Sequence, residues 1–559
     1  MRTAKPELIA EYRQRGWWSD TRITDLFDAA VRSEPSRLAV VDAHNRPLLT
    51  GTPALRLSFV ELDRLVAAFM LRFVAAGLKR DDILVTQLPN IAEYVAVYMA
   101  ALKLGIILSP VPMQFRRGEF EKILPLTRAR AILSLPQFKN ADPTQDIVPV
   151  AQKHGAQLLL LDGKLPDPDS SELQQLQRRV QEANVSADDI ATICWTSGTE
   201  GMPKGVPRSH NHWLAISHAH FEGAGIRRGD ILLNPFPLIN MAALGGCFMS
   251  WLRAAGTLVL HHPLDLPVYL QQIARERPNY AIAPPAVLNM LLKDERLLAQ
   301  TDLNSLRSIG SGSAPLDPVM ILGFRDRFGI EIVNMFGSNE GMSLTSGPAH
   351  TSDPEQRATF FPRFGRKEVE WPQRAAQFIE TRLMDPEQGT EIVAAGSIGE
   401  MQIRGPTVFD GYFRAPELTV AAFTSDGYFR TGDLFEIAAT DDSLRFYRFV
   451  GRLKQLIVRG GIKIAPEEVE AVLAQHPGIL EASAIAFHDP VLGERICAVV
   501  VPKSPDKVVT LESVQAVFRQ AGVAIFKWPE RVRCVTALPR NAVGKVLRAE
   551  LTTVATQPD

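Results

Sequence analysis

The chain has 559 residues, a formal net charge of -1, 46% apolar and 22% charged residues. That length exceeds what one hydrophobic core serves, so two or more domains are expected. The near-zero charge removes the electrostatic case for nucleic acid, which needs a large positive field. The four cysteines, Cys194, Cys247, Cys497 and Cys534, lie far apart without zinc-ligand spacing, the pattern of reduced thiols in a cytoplasmic protein.

The opening twenty residues lack the apolar segment and cleavage-like site of a secretory signal. From Ile23 onward helical patterns alternate with short Val/Ile/Leu runs: Ile83–Leu88, Ala131–Leu135, Gln157–Leu161, Thr257–Leu260 and Ile330–Met335. Several are almost continuously apolar, as in strands covered by helices on both faces. The most apolar stretch, Tyr94–Pro112, contains Lys103, Gly105, Pro110 and Pro112. It reads as a buried helix followed by a core strand, so no transmembrane segment is expected. Asp162–Asp188 is polar and reads as a surface loop plus helix. The large N-terminal part is therefore α/β with mostly parallel sheets. Beyond about Asp410 the segments become shorter and turn-rich, and a small α+β unit starts near Arg452. The expected division is residues 1–450 and 451–559. No internal repeat or low-complexity tract is present.

The strongest chemical signal is Trp195-Thr-Ser-Gly-Thr-Glu-Gly-Met-Pro-Lys-Gly205. It leaves the apolar run Ile190–Cys194. The hydroxyls of Thr196, Ser197 and Thr199, with Gly198 and Gly201, let backbone and side chains wrap an anion closely, and Lys204 adds a fixed positive charge. The chemistry is that of a phosphate loop, though the spacing is not the Walker one. Further segments follow in order: Gly312-Ser-Ala-Pro-Leu316 after another strand-like run, Asn334-Met-Phe-Gly-Ser-Asn-Glu340 after Ile330–Val333, Tyr428-Phe-Arg-Thr-Gly-Asp433, Gly451-Arg-Leu-Lys454, and Pro539-Arg-Asn-Ala-Val-Gly-Lys545.

In these six motifs and their order, from about residue 190 to 545, the chain resembles the adenylate-forming superfamily of acyl-CoA synthetases, aryl-acid adenylating enzymes, peptide-synthetase adenylation domains and luciferases. Tyr12–Asp20 and Leu102–Pro112 also look like the start of stand-alone aryl-acid and alicyclic-acid activating members. The resemblance implies an α/β fold: a large N-terminal domain of mixed sheets plus a barrel-like subdomain, with a small mobile α+β C-terminal domain. It implies ATP-dependent activation of a small-molecule carboxylic acid to an acyl-adenylate, then transfer to a thiol, either CoA or a phosphopantetheinyl carrier protein.

The resemblance also implies roles. Thr196, Ser197, Gly198, Thr199, Gly201 and Lys204 cradle the phosphates. Phe336 stacks on adenine, Asn334 meets the adenine edge, and Gly312, Ser313 and Ala314 form the facing wall, with Gly337 and Asn339 alongside. Asp433 and Arg452 hold the ribose hydroxyls. Glu340 ligates Mg²⁺, as suits a hard carboxylate oxygen. Lys545 bridges the carboxylate and the α-phosphate in the first half-reaction. Lys454 is the hinge about which the small domain turns, and Gly460, Gly461 and Lys463 line the tunnel for the thiol arm.

The chain departs from the family in places. Asn339 stands where Thr is common beside the magnesium Glu, with an amide able to donate to a phosphate. Glu200 replaces a second Thr of the loop. The acid pocket is expected from Asn240, Met241, Ala242, Gly246, Gly310 and Ser311, with Ile282–Ala286 as a further wall. Dihydroxybenzoate-activating relatives read His-Asn-Tyr where this chain reads Asn240-Met241-Ala242. A roomier, more apolar pocket follows, for a fatty, alicyclic or plain aromatic acid. Three functions remain open: an acyl-CoA synthetase, a stand-alone enzyme loading a carrier protein in siderophore or peptide-synthetase assembly, and an inactive adenylate binder. Lys204, Glu340, Asp433, Arg452 and Lys545 together argue against the last.

Overall fold

The computed structural model describes residues 1–557 apart from 164, 197–201, 300, 313–315, 342, 440–443, 460–461, 490, 505–508 and 541–545; of 299, 454, 462 and 463 it describes the backbone alone. The chain folds as two compact units. The first comprises Met1–Thr381 with Ile403–Phe429, the second Arg382–Gln402 with Arg430–Asp559. The division expected at 450/451 lies inside the second unit.

Two twisted sheets build the first unit. The larger is parallel from Leu38–Val41 through Thr257–Leu260, Ile231–Asn234, Tyr280–Ile282 and Ser308–Gly312 to Glu331–Gly337, and antiparallel at each edge. The smaller is parallel through Gln157–Leu160, Ala131–Ser134, Ile83–Thr86, Ile107–Pro110 and Ile190–Thr196, and ends in the antiparallel strand Lys204–Ser209. Each apolar run read from the sequence is thus a strand. The apolar stretch divides into the helix Ala92–Leu104 and the strand Ile107–Pro110. That helix is buried almost all round, which is why it shows no polar face.

Its neighbours Phe59, Phe69, Trp213 and Trp251 are fully buried with Tyr94 and Tyr98. Each such side chain contributes about 1.5–3 kcal/mol by leaving water. Their polar atoms are paired: Tyr98 donates to the Leu238 carbonyl at 2.6 Å and Trp251 Nε1 to that of Gly256 at 3.0 Å.

Most of a further sheet, of Phe446–Arg452, Phe429–Ile437, Ile398–Arg404, Glu380–Met384 and Glu391–Ile392, belongs to the second unit. Beyond it, Ile457–Arg459, Ile462–Ile464, Ile479–Asp489, Gly493–Pro502 and Arg531–Cys534 form one five-stranded sheet. Alternate residues of Gly493–Pro502 face opposite sides. Ile496, Ala498 and Val500 pack with Val469, Leu473 and Phe518 of the helices Pro466–Leu473 and Leu511–Gln520. Cys497 and Val499 pack with Leu551 and Ala555 of the last helix, Arg548–Thr556. Among the described residues no helix is long and apolar enough to cross a membrane.

Candidate active site

The two ends of the phosphate motif lie on paired strands. Ile190–Thr196 pairs antiparallel with Lys204–Ser209, and Thr196 stands directly opposite Lys204. Ser197, Gly198, Thr199, Glu200 and Gly201 lie outside the described residues. Lys204 Nζ lies 5.0 Å from the ring centroid of Tyr412, a cation–π contact. The Tyr412 hydroxyl donates to Glu340 Oε1 at 3.2 Å. Burial, and then the Glu340 charge, push the Tyr412 phenol well up, so it stays a neutral donor. One phenol therefore contacts both motifs: its ring face meets the lysine and its hydroxyl the glutamate. Backbone bonds fix this segment: Phe409 N–H donates to the Glu340 carbonyl and Phe413 N–H to that of Gly205. Gly341 takes φ +131°, and a Cβ there would overlap the Thr407 carbonyl.

Asn339 is a bridge between two motifs. Its Oδ1 accepts from the Met241 N–H at 2.8 Å, and its Nδ2 donates to the Trp195 carbonyl at 3.3 Å. The amide expected to face a phosphate thus ties the end of the hairpin strand to the start of the acid-pocket segment. The Asn339 carbonyl in turn accepts from Arg208 Nε at 2.8 Å, while Arg208 Nη1 donates to the Thr407 carbonyl at 2.9 Å. Arg208 is fully buried, and burial pulls its guanidinium down to about 10. That buried cation was not singled out from sequence.

In the two motifs assigned to adenine from sequence, Ser308–Gly312 and Glu331–Gly337 run parallel, with Ser311 opposite Asn334 and Gly312 opposite Met335. A Cβ at Gly312 would overlap the Met335 carbonyl oxygen, so only glycine permits this approach. Asn334 is buried. Its Nδ2 donates to the carbonyls of Arg357 at 3.2 Å and Ala358 at 2.8 Å. Phe336 shares that strand face two residues on, its half-buried ring 5.5 Å from Phe361 and tilted by 56°. Gly337 pairs with Ser343. Ser313 and Ala314 lie outside the described residues.

In the acid-pocket segment Asn240 is a helix cap: its Oδ1 accepts from the Ala243 N–H at 3.3 Å. The turn Met241–Ala243 passes into a π-helical turn, Leu244–Phe248, of the kind often found at functional sites. Met241 and Gly246 are buried, Ala242 half-buried. A side chain at Gly310 would overlap the Tyr280 hydroxyl, and the Ser311 hydroxyl donates to the Ala283 carbonyl at 2.8 Å.

In the second unit Asp433 and Arg452 are cross-strand partners, with Arg452 Nε 2.9 Å from Asp433 Oδ1. Asp433 is 3% exposed, its N–H bonded to Thr431 Oγ1 at 3.0 Å. Lys454 falls in the short 3₁₀ turn Leu453–Gln455; its side chain lies outside the described set. Gly460 and Gly461 lie outside it also, while Lys463 is known by its backbone, opposite Val458. Lys545 is outside as well. Three residues on, Arg548 donates to Gln455 Oε1 at 2.6 Å, to Glu467 Oε1 at 2.8 Å and to both oxygens of Glu470. The helix after the lysine loop is thereby anchored to the turn that holds Lys454.

These features define an ATP-using, AMP-forming acid–thiol ligase, and the comparisons agree. Residues 27–413 match the model of the AMP-binding enzymes and 468–545 that of the AMP-binding enzyme C-terminal domain, so the chain belongs to the AMP-binding enzyme family. It is 30% identical over 546 residues to a medium-chain fatty-acid–CoA ligase of Escherichia coli, covering 96% of this chain and 91% of that one. It is 28% identical over 546 residues to the pyochelin synthase PchD of Pseudomonas aeruginosa, covering 97% and 94%. Among solved structures it is similar to ATP-bound MatB from Rhodopseudomonas palustris, with a TM-score of 0.78, 25% identity and coverage of 96% and 99%.

Proposed function

We propose that the chain is an AMP-forming acyl-CoA synthetase for a largely apolar acid of the fatty, alicyclic or plain aromatic class, acting in the cytoplasm. The observation that carries the reading is the Lys204–Tyr412–Glu340 arrangement at the base of the phosphate hairpin. The first step joins two anions: a carboxylate oxygen attacks the α-phosphorus, and the bond to the leaving pyrophosphate breaks. Cations are needed where those anions meet. Lys204 stands at the hairpin, and Lys545 is assigned to the meeting point on the strength of its motif.

Glu340 would hold Mg²⁺. It offers a single carboxylate, steadied by a neutral phenol, with no cation at ion-pair distance among the described residues. One carboxylate fits an ion that keeps waters and phosphate oxygens. Bound there, Mg²⁺ would offset phosphate charge. Asp433 and Arg452 would hold the ribose, Phe336 the base. In the second step a thiolate attacks the acyl carbon and the acyl–phosphate oxygen bond breaks, releasing AMP. The hinge at Lys454 and the Gly460–Gly461–Lys463 segment are assigned to that step.

Carrier-protein loading is the second reading. It is favoured by Gly522–Arg533, the segment that resembles carrier-loading enzymes, where Ile525 is 75% exposed. The deciding experiment measures acid-dependent AMP release with CoA and, separately, with a phosphopantetheinylated carrier protein. Faster release with CoA supports the first reading; release with the carrier alone replaces it with the second.

A further inference from the structure

The acid-pocket wall contains one polar side chain that the sequence did not single out. His220, on the helix His210–Gly223, is 5% exposed. Its Nε2 lies 3.1 Å from Ser343 Oγ, whereas its Nδ1 has no hydrogen-bond partner among the described residues. The imidazole faces the π-helical turn, where two consecutive positions carry no side chain. A Cβ at Gly245 would lie 3.6 Å from both Cδ2 and Nε2. A Cβ at Gly246 would lie 3.9 Å from Nδ1, 4.0 Å from Cε1 and 3.1 Å from Ile282 Cδ1. The unpaired nitrogen is buried, and Gly246 presents no side chain to it.

A buried donor or acceptor left without a partner carries its full desolvation penalty, and an apolar side chain of the same shape would avoid it. Burial pulls the imidazole down to about 4, so at neutral pH it is uncharged. The other side chains nearest these two glycine positions, Met241 and Ile282, are apolar. When Ser343 donates to Nε2, Nδ1 carries the proton and donates; when Ser343 accepts, Nδ1 accepts. A hydroxyl group satisfies either tautomer.

We propose that His220 is a specificity residue, its Nδ1 pairing with a single hydroxyl on the body of an otherwise apolar acid. This rests on the reading of Gly246 as acid-pocket wall. Met241 and Ile282 would take the apolar body, and Nδ1 can pair one hydroxyl.

The test is ATP–pyrophosphate exchange with matched acids: benzoate against its 3- and 4-hydroxy derivatives, cyclohexanecarboxylate against its hydroxy derivatives, and octanoate against hydroxyoctanoates. At least one hydroxyl position should raise kcat/KM about tenfold or more over its parent, the factor about 1.4 kcal/mol supplies. In His220→Leu that ratio should fall to about one, and in His220→Gln, whose amide both donates and accepts, part of it should remain. Gly246→Ala, which covers Nδ1 with a methyl, should collapse the ratio too, and carries the test if His220→Leu does not fold. Exchange with the parents but no hydroxyl gain, or a gain that survives both His220→Leu and Gly246→Ala, overturns the proposal while leaving adenylation intact. Exchange with no acid at all overturns the adenylation reading and this proposal with it.

Discussion

The Tyr412 hydroxyl donates to Glu340 Oε1 at 3.2 Å while the same ring lies 5.0 Å from Lys204 Nζ. One side chain thus sets the spacing between the two charges that the phosphates would meet. Tyr412→Phe keeps the ring and removes the donor. A hydrogen bond to a charged group contributes roughly 1.5–3 kcal/mol. Pyrophosphate exchange should fall about tenfold or more, with the acid KM little changed. Tyr412→Leu, which also removes the cation–π contact, should fall further. A Phe variant as fast as the parent would show that the phenol does not orient Glu340.

Asn339 joins the hairpin strand at Trp195 to the segment at Met241 that is assigned to the acid pocket. In Asn339→Ala the Met241 N–H loses its acceptor, at a cost of roughly 1–3 kcal/mol for a buried donor. The loss should appear as a raised acid KM together with a raised ATP KM, because both motifs hang on the same amide. An effect confined to ATP would assign Asn339 to the phosphates alone.

These two residues mark what sequence reading reaches. The parallel strands are legible because burial on both faces writes an unbroken apolar run, as in Ile83–Thr86 and Thr257–Leu260. The phosphate-loop motif is legible because tight anion wrapping would demand small and hydroxylated residues in one short stretch; the return strand Lys204–Ser209 after it was not read. Tyr412 is not, since its neighbours Lys204 and Glu340 are far away in sequence; a Gly-Tyr pair between two motifs was its only trace. Asn339 was noticed as a departure, but its two backbone partners come from separate segments that only the fold brings together. His220 is silent because a histidine inside an apolar helix looks like core.

The acid pocket should favour apolar over catecholic acids. Met241 and Ala242 offer no side-chain hydrogen-bonding group, so two vicinal ring hydroxyls cannot both be paired. One unpaired buried hydroxyl costs roughly 1–3 kcal/mol. Unsubstituted aromatic, alicyclic or medium-chain acids should therefore exceed 2,3-dihydroxybenzoate in kcat/KM by about tenfold. If 2,3-dihydroxybenzoate is the best acid of the panel, the pocket reading fails and carrier loading moves to first place.

Acid should destabilise the fold between about pH 6.5 and 4. Burial pulls His210, His220, His262 and His350 down to about 4, and His212 to about 3. Unfolded imidazoles titrate near 6.5, so between about pH 6.5 and 4 the unfolded chain binds more protons, and stability falls as pH is lowered. Asp42 and Asp410, pushed up to about 6 by burial, act in the opposite sense: the stability they contribute is present at low pH and lost as pH rises through about 6. Five histidines outweigh two aspartates. The thermal midpoint should drop by about 5 °C or more from pH 7 to pH 5. A flat or rising midpoint over that range would contradict the buried, neutral state of these imidazoles.

The central claim is that this chain makes an acyl-adenylate in one step and a thioester in another, with Lys545 needed for the first alone. The most direct measurement follows ATP–pyrophosphate exchange, and thioester formation from a supplied acyl-adenylate, in the parent, Lys545→Ala and Lys454→Pro. The account predicts acid-dependent exchange in the parent and its loss in Lys545→Ala with thioester formation retained. It predicts the reverse pattern in Lys454→Pro, where a fixed φ blocks rotation. Absence of exchange with every acid, or equal loss of both steps in Lys545→Ala, would contradict it.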